Sequence, residues 1–198
     1  MHPNPAFRGE AETRALDAAR TRGFGTLVAN GDDVPHVAQV PFVLDDGRAE
    51  FHLLRSNPLA RAAPERALLI VIGPDGYVSP DWYGAEDQVP TWNYVAIHLE
   101  GRLELLPQGT LRAHLDRLSA EFEGRLPKVP WDASKMSPEP LERMMRTIRP
   151  ARLHVEAVRS TFKLNQNKPD AARLGAAAHV EGSVGSDLSA LAALMRSG

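Results

Sequence analysis

Apolar and polar residues alternate most regularly between positions 92 and 105. One parity reads Asn93, Val95, Ile97, Leu99, Gly101, Leu103 and Leu105; the other reads Trp92, Tyr94, Ala96, His98, Glu100, Arg102 and Glu104. Period two over that length predicts a strand with one buried face, and Gly101 in its middle predicts a bulge or a sharp bend. Upstream, Tyr77-Val78-Ser79 is a short β-prone run broken by Pro80, and a polar loop through Gly84 and Asp87 leads to Pro90. Shorter strands are predicted at 24–29, 34–44, 48–54, 67–72 and 151–158. The turn signals are Asn30-Gly31, Asp45-Asp46-Gly47 and Pro74-Asp75-Gly76.

Helical spacing appears elsewhere. Residues 10–22 are charged and Ala-rich and stop at Gly23, and Asn57-Pro58 is a cap followed by proline at the first helical position. Leu111, Leu115, Leu118 and Phe122 share one helix face. Leu141, Met144, Met145 and Ile148 share another, entered at Ser137-Pro138 and ended by Pro150. Residues 170–183 are Ala- and Gly-rich with little pattern, and a last helix runs through Leu188, Leu191 and Leu194. Roughly six strands joined by hairpin-length turns predict an α+β, mainly β chain: a small barrel with flanking helices. The expected division is a barrel over 1–168, with a helical pair inserted at about 108–149, and a helical extension over 169–198.

Composition narrows the chemistry. At 198 residues, 43% hydrophobic and 24% charged, the chain reads as one soluble globular domain with appendages. The start, Met1-His2-Pro3-Asn4-Pro5, has neither the basic nor the apolar stretch of a signal peptide, so a cytoplasmic location is expected, without membrane attachment. With no cysteine, thiolate chemistry and disulfides are excluded. Lys plus Arg at 23 against Asp plus Glu at 25 gives no basic field for nucleic acid. The seven histidines are scattered, which gives a metal site no support, and phosphate-loop, dinucleotide and nucleophile-elbow motifs are all absent.

Three polar segments remain. Arg55-Ser56-Asn57, between a strand and a helix, suits an anion such as a phosphate, and equally an ordinary cap beside a surface arginine. Pro90-Thr91-Trp92-Asn93 sets donors and acceptors beside an aromatic surface, which fits the imide edge of a flavin or a nucleobase. The same aromatic residues would also serve to plug a barrel end. Lys163-Leu164-Asn165-Gln166-Asn167-Lys168 is a dense donor set, or else a solvated loop.

At these residues the sequence resembles the PaiB-type FMN-binding negative transcriptional regulators. The resemblance is carried by Met1-His2-Pro3-Asn4-Pro5-Ala6-Phe7, Ser79-Pro80-Asp81-Trp82-Tyr83, Val89-Pro90-Thr91-Trp92-Asn93-Tyr94 and Lys163-Leu164-Asn165-Gln166-Asn167, where Asn165 replaces the family's usual serine. It implies a six-stranded FMN-binding split barrel with Greek-key character, related to pyridoxamine-phosphate oxidase, in a homodimer with flavin in the cleft between subunits. It gives Arg55, Ser56 and Asn57 to the ribityl phosphate. Thr91, Trp92 and Asn93 go to the ring or ribityl chain, and Lys163, Gln166 and Asn167 close the site. Gln39 and Val40 are further candidates at the ring edge. DNA enters as a partner only with the regulator role. The alternatives are a small FMN-dependent oxidoreductase and a haem-binding split barrel, for which His98 or His52 would have to be the axial ligand. The outward side chains Trp92, Tyr94 and Ala96, which a monomer would leave in water, predict that the long strand forms part of the homodimer interface.

Overall fold

The computed structural model describes residues 1–62 and 64–197. They form two compact units that do not follow chain order. The first comprises Met1–Ala18, Ile72–Ile97 and the stretch from Arg159 onward; the second comprises Ala19–Val71 and His98–Val158. Three long strands run through both: β5 (Arg66–Val78), β6 (Thr91–Leu105) and β7 (Ile148–Lys163). The other strands are β1 (Phe24–Ala29), β2 (His36–Pro41), β3 (Val43–Asp45), β4 (Arg48–Leu54) and β8 (Gly185–Ser186). The helices are α1 (Glu12–Arg22), α2 (Pro58–Ala62), α3 (Leu111–Glu123), α4 (Pro138–Met145), α5 (Asp170–His179) and α6 (Leu188–Ser197).

In the second unit the strands lie in the order β2-β1-β5-β6-β7-β4-β3. β2 also packs against β4 near the far end of this path, so the sheet curls toward a barrel. The β3–β4 hairpin closes through Asp46 (φ 45°) and Gly47 (φ 70°), the two left-handed residues that a tight two-residue turn requires. The β1–β2 connection is longer than the Asn30-Gly31 signal suggests: Ala29 pairs with His36, leaving a loop at 30–35. The stretch predicted as one strand at 34–44 is two. Phe42 leaves the ladder, donates its N–H to the Gly23 carbonyl at 2.8 Å and buries its ring.

β6 follows its predicted parity with two departures. Asn93, Val95, Ile97, Leu99, Gly101 and Leu103 are buried, while Trp92, Tyr94, His98, Glu100, Arg102 and Glu104 are partly or fully exposed. Ala96, expected to face outward, is buried, and Leu105, expected inward, is partly exposed, so of the outward trio Trp92, Tyr94 and Ala96 only Trp92 is fully open. Gly101 allows a close backbone approach: a Cβ there would lie 1.8 Å from the His154 carbonyl oxygen of β7. β7 begins earlier than predicted. Pro150, expected to end a helix, pairs with His52 of β4, and Ile148 starts the strand instead of closing α4.

In the first unit Pro74-Asp75-Gly76 is not a turn. β5 continues through it, because Asp75 and Gly76 pair with Ser186 and Gly185 of β8. Gly76 sits under α6, where a Cβ would meet Leu188 Cδ2 and Leu191 Cδ2 at 2.8 Å each. The divided strand at 34–44 and this two-residue β8 bring the described strands to eight, where roughly six were predicted. The Ala-rich stretch forms α5, whose Ala172, Arg173, Ala176 and Ala177 are buried; the Arg173 guanidinium donates to the Met195 carbonyl of α6 and to Asp170. No helix among the described residues is long and apolar enough to cross a membrane.

Candidate functional site

In the first unit, the end of β7 meets the start of β6. Lys163 closes β7, and its Nζ donates to Thr91 Oγ1 and, at 2.7 Å, to the Trp92 carbonyl. Burial lowers the Lys163 pKa, and the charge of Lys168 lowers it further. Trp92 keeps 46% of its surface exposed, and the Tyr77 ring stands edge-on to it at 6.3 Å. An amine, a hydroxyl and an open indole therefore share one small surface. Asn93 follows Trp92 but points to the other face, as alternation demands. It is fully buried, its Nδ2 reaches Met195 Sδ at 3.4 Å, and its Oδ1 has no partner.

The residues after Lys163 hold the strand end in place. Gln166 donates to the Phe162 and Ala6 carbonyls and accepts from the Leu164 N–H at 2.8 Å, tying the N-terminal turn Pro5–Phe7 to the end of β7. Asn167 is exposed. Asn165 lies in the same predicted donor segment, although it is not among the residues assigned to the flavin. It takes a left-handed conformation (φ 66°) that asparagine tolerates better than most residues. It is buried, its Oδ1 accepts from the Tyr83 hydroxyl at 3.5 Å, and its Nδ2 has no partner. Burial raises the Tyr83 pKa, and Lys168 Nζ lies 4.2 Å from the Tyr83 ring centroid. The signal for this cluster was present in the Ser79–Tyr83 and Lys163–Asn167 motifs; their contact, across more than eighty positions, was not.

The remaining predicted residues belong to the second unit. Arg55 leaves β4 with Nε donating to the Arg146 carbonyl at 2.9 Å and Nη2 to Gln108 Oε1, so Nη1 is the nitrogen left over. Ser56 is exposed, and Asn57 Oδ1 accepts from the Leu59 N–H at 2.9 Å, the predicted cap. α2, which follows, packs on β2, the strand that carries Gln39 and Val40. Gln39 faces outward and accepts from Thr26 Oγ1 at 3.0 Å, whereas Val40 is buried on the opposite face. His52 is paired with His114 on α3, Nδ1 to Nε2 at 3.3 Å, a contact that scattered sequence positions concealed. Among the described residues there is no group of three or more acidic or histidine side chains that would hold a metal ion.

Residues 1–157 match the sequence model of a family described as "Putative FMN-binding domain". Over 152 residues the chain is 32% identical to the protease synthase and sporulation protein PAI 2 of Bacillus subtilis (strain 168), covering 73% of this chain and 72% of that protein. The chain belongs to this PaiB-type FMN-binding family. Its fold is similar to that of the FAD and heme binding protein from Mycobacterium smegmatis (TM-score 0.56, 17% identity, 79% of this chain and 73% of that one). It is likewise similar to the flavocytochrome Anf3 from Azotobacter vinelandii (TM-score 0.56, 18% identity, 77% and 68%). The architecture is thus the α+β flavin-binding split barrel, and the cofactor of the family is FMN.

The residues present fit that cofactor. The pyrimidine edge of an isoalloxazine offers two carbonyl acceptors flanking an N–H donor. Lys163 supplies the matching donor and the Thr91 hydroxyl can both give and accept, beside an indole able to stack on a ring. Lys163, Gln166 and Asn167 lie beyond the family-matched residues, so their fit rests on this geometry and on the sequence motif.

Proposed function

We propose that the protein works as an FMN-carrying homodimer in the negative transcriptional regulator role that the PaiB-type resemblance implies. The observation that carries the flavin part is the Lys163–Thr91–Trp92 group, in which a partly desolvated amine and a hydroxyl stand beside an indole still open to solvent. When bound, FMN supplies a reducible ring and a phosphate monoester. Lys163 and Thr91 orient the polar edge of the ring, and Trp92 shields one face from water. Gln166 positions Lys163 by fixing the end of β7, and Asn167 adds an exposed amide, whereas the Asn93 side chain, buried on the opposite face of β6, is out of reach of the Lys163–Thr91–Trp92 surface. The phosphate role of Arg55, Ser56 and Asn57, and the ring-edge role of Gln39 and of the Val40 backbone, are separate assignments. They are supported by the remaining Nη1 of Arg55, the exposed Ser56 hydroxyl and the outward Gln39.

Two apolar surfaces support the second copy. On β6, Trp92 is 46% exposed. In the second unit Val28 pairs with both Val37 and Leu68, placing three apolar side chains in one row of an outward sheet face, with Val37 and Phe24 exposed.

A small FMN-dependent oxidoreductase is the second reading, favoured by the same open indole, which offers a flat wall to another planar molecule. One experiment separates the two. FMN-loaded protein is mixed with DNA from upstream of its own gene, with a shuffled sequence of equal length, and in parallel with NADH or NADPH. Retarded migration of the upstream DNA alone supports the regulator. Steady nicotinamide oxidation with no retarded band at micromolar protein overturns it in favour of the oxidoreductase.

A further inference from the structure

We propose that the half-open cavity lined by β4, α3, α4, the connection between the two helices and the start of β7 is a second small-molecule site, for a neutral aromatic compound carrying one hydroxyl or one ring nitrogen. The site goes beyond the flavin reading: none of its lining residues is among those assigned to FMN.

The cavity follows from how the helical pair is built. α3 buries Leu111, His114 and Leu118 against its own unit, and the neighbouring Leu115 lines the cavity. α4 is amphipathic, with Leu141, Met144 and Met145 on its apolar face, yet none of its residues is buried and Met144 is 59% exposed. An apolar helix face laid over an opening instead of a packed core leaves room for an apolar occupant. The volume is about 580 Å³, within the range of small-molecule pockets. A partner helix, about 10 Å across, would fill that volume with little more than one turn, so a peptide segment is a poor match.

The lining fixes the chemical class. Trp131 offers a flat aromatic wall, and Met136, Met144 and Met145 supply adaptable, polarisable contacts that suit aromatic rings. The rim charges are already matched: Arg112 binds Asp116 at 2.9 Å, and Arg143 faces Glu139 at 3.9 Å. A charged ligand therefore gains little. His52 lines the cavity, and its Nδ1 is held by His114 Nε2, leaving Nε2 as its remaining polar atom. Burial holds both rings in the neutral form. In a neutral imidazole one nitrogen donates and the other accepts, so His52 Nε2 can accept from a hydroxyl in one tautomer and donate to a ring nitrogen in the other.

The test uses the whole chain, loaded with FMN and also without it, labelled with ¹³C at the methionine methyls. The probe is 2-naphthol. Of the five methionines, Met136, Met144 and Met145 line the cavity, whereas Met1 and Met195 do not. The three lining methyls are expected to shift on one saturable curve while the other two stay in place, with or without FMN. In wild type 2-naphthol should bind about tenfold more tightly than naphthalene, the value of one good hydrogen bond, and His52→Phe should remove that preference. No shift at millimolar probe, equal unsaturable shifts at all five methyls, or a preference that survives His52→Phe would each overturn the proposal. Should His52→Phe fail to fold, the wild-type methyl shifts decide alone. A chain that fails to take up FMN but shows these shifts separates this inference from the flavin reading.

Discussion

Lys163, at the end of β7, donates to the hydroxyl of Thr91, at the start of β6, across 72 positions of sequence. The same amine reaches the Trp92 carbonyl at 2.7 Å. This crosslink fixes a cationic donor beside an exposed indole, and in the proposed site it is Lys163 that would act on the electronics of the flavin. A positive group at the pyrimidine edge stabilises the anionic reduced ring. Lys163→Met is therefore expected to lower the midpoint potential of bound FMN by roughly 30–60 mV, on the order of 1–3 kcal/mol for a two-electron couple. Spectroelectrochemical titration of both proteins checks this; an unchanged potential with FMN still bound would reduce Lys163 to a strand-end clamp.

Arg55→Ala is expected to weaken FMN about tenfold or more and riboflavin hardly at all, because only FMN carries the phosphate that a guanidinium recognises. Equal losses for the two flavins would mean that the Arg55 contacts to Gln108 and the Arg146 carbonyl are its whole role.

Gly101→Ala tests the close approach of β6 and β7. Its new Cβ would fall 1.8 Å from the His154 carbonyl oxygen, which is backbone and cannot rotate away. A loss of about 2–4 kcal/mol in urea unfolding is expected. A loss below about 0.5 kcal/mol, within the range of an ordinary surface substitution, would contradict the geometry.

What the sequence made legible follows the range of the interactions. The β6 alternation survives because fifteen consecutive residues obey one period, and the Asp45–Gly47 turn survives because its chemistry is local. Pro74-Asp75-Gly76 misleads because its turn-forming composition is overridden by pairing with β8, more than a hundred residues away. Phe42 breaks a strand for a backbone bond to Gly23 that no pattern announces. At the site, the chemical types of Lys163 and Thr91 were legible, as were Asn57 as a cap and the inward side of Asn93; the contact of Asn93 with Met195 of α6, the Asn165–Tyr83 contact and the His52–His114 pair depend on tertiary structure.

The histidine pair also sets a pH dependence. Burial first, and then the proximity of His52, push the His114 pKa down to about 4 from its ordinary 6.5. A depressed folded-state pKa means that the unfolded chain binds the proton more readily, so this stability is complete above about pH 6.5 and is lost as pH falls toward 4. Urea unfolding is expected to show about 2 kcal/mol less stability at pH 5 than at pH 7 from this group, and a flatter profile in His114→Phe. The same pH slope in the variant would assign the effect to other groups.

The most direct test of the flavin site is a titration of cofactor-stripped protein with FMN and, separately, with riboflavin, followed by quenching of flavin fluorescence. A saturable endpoint at one FMN per chain is predicted, with FMN bound more tightly than riboflavin and with Lys163→Met weakening both. No saturation at micromolar FMN, or identical curves for FMN and riboflavin, would contradict it.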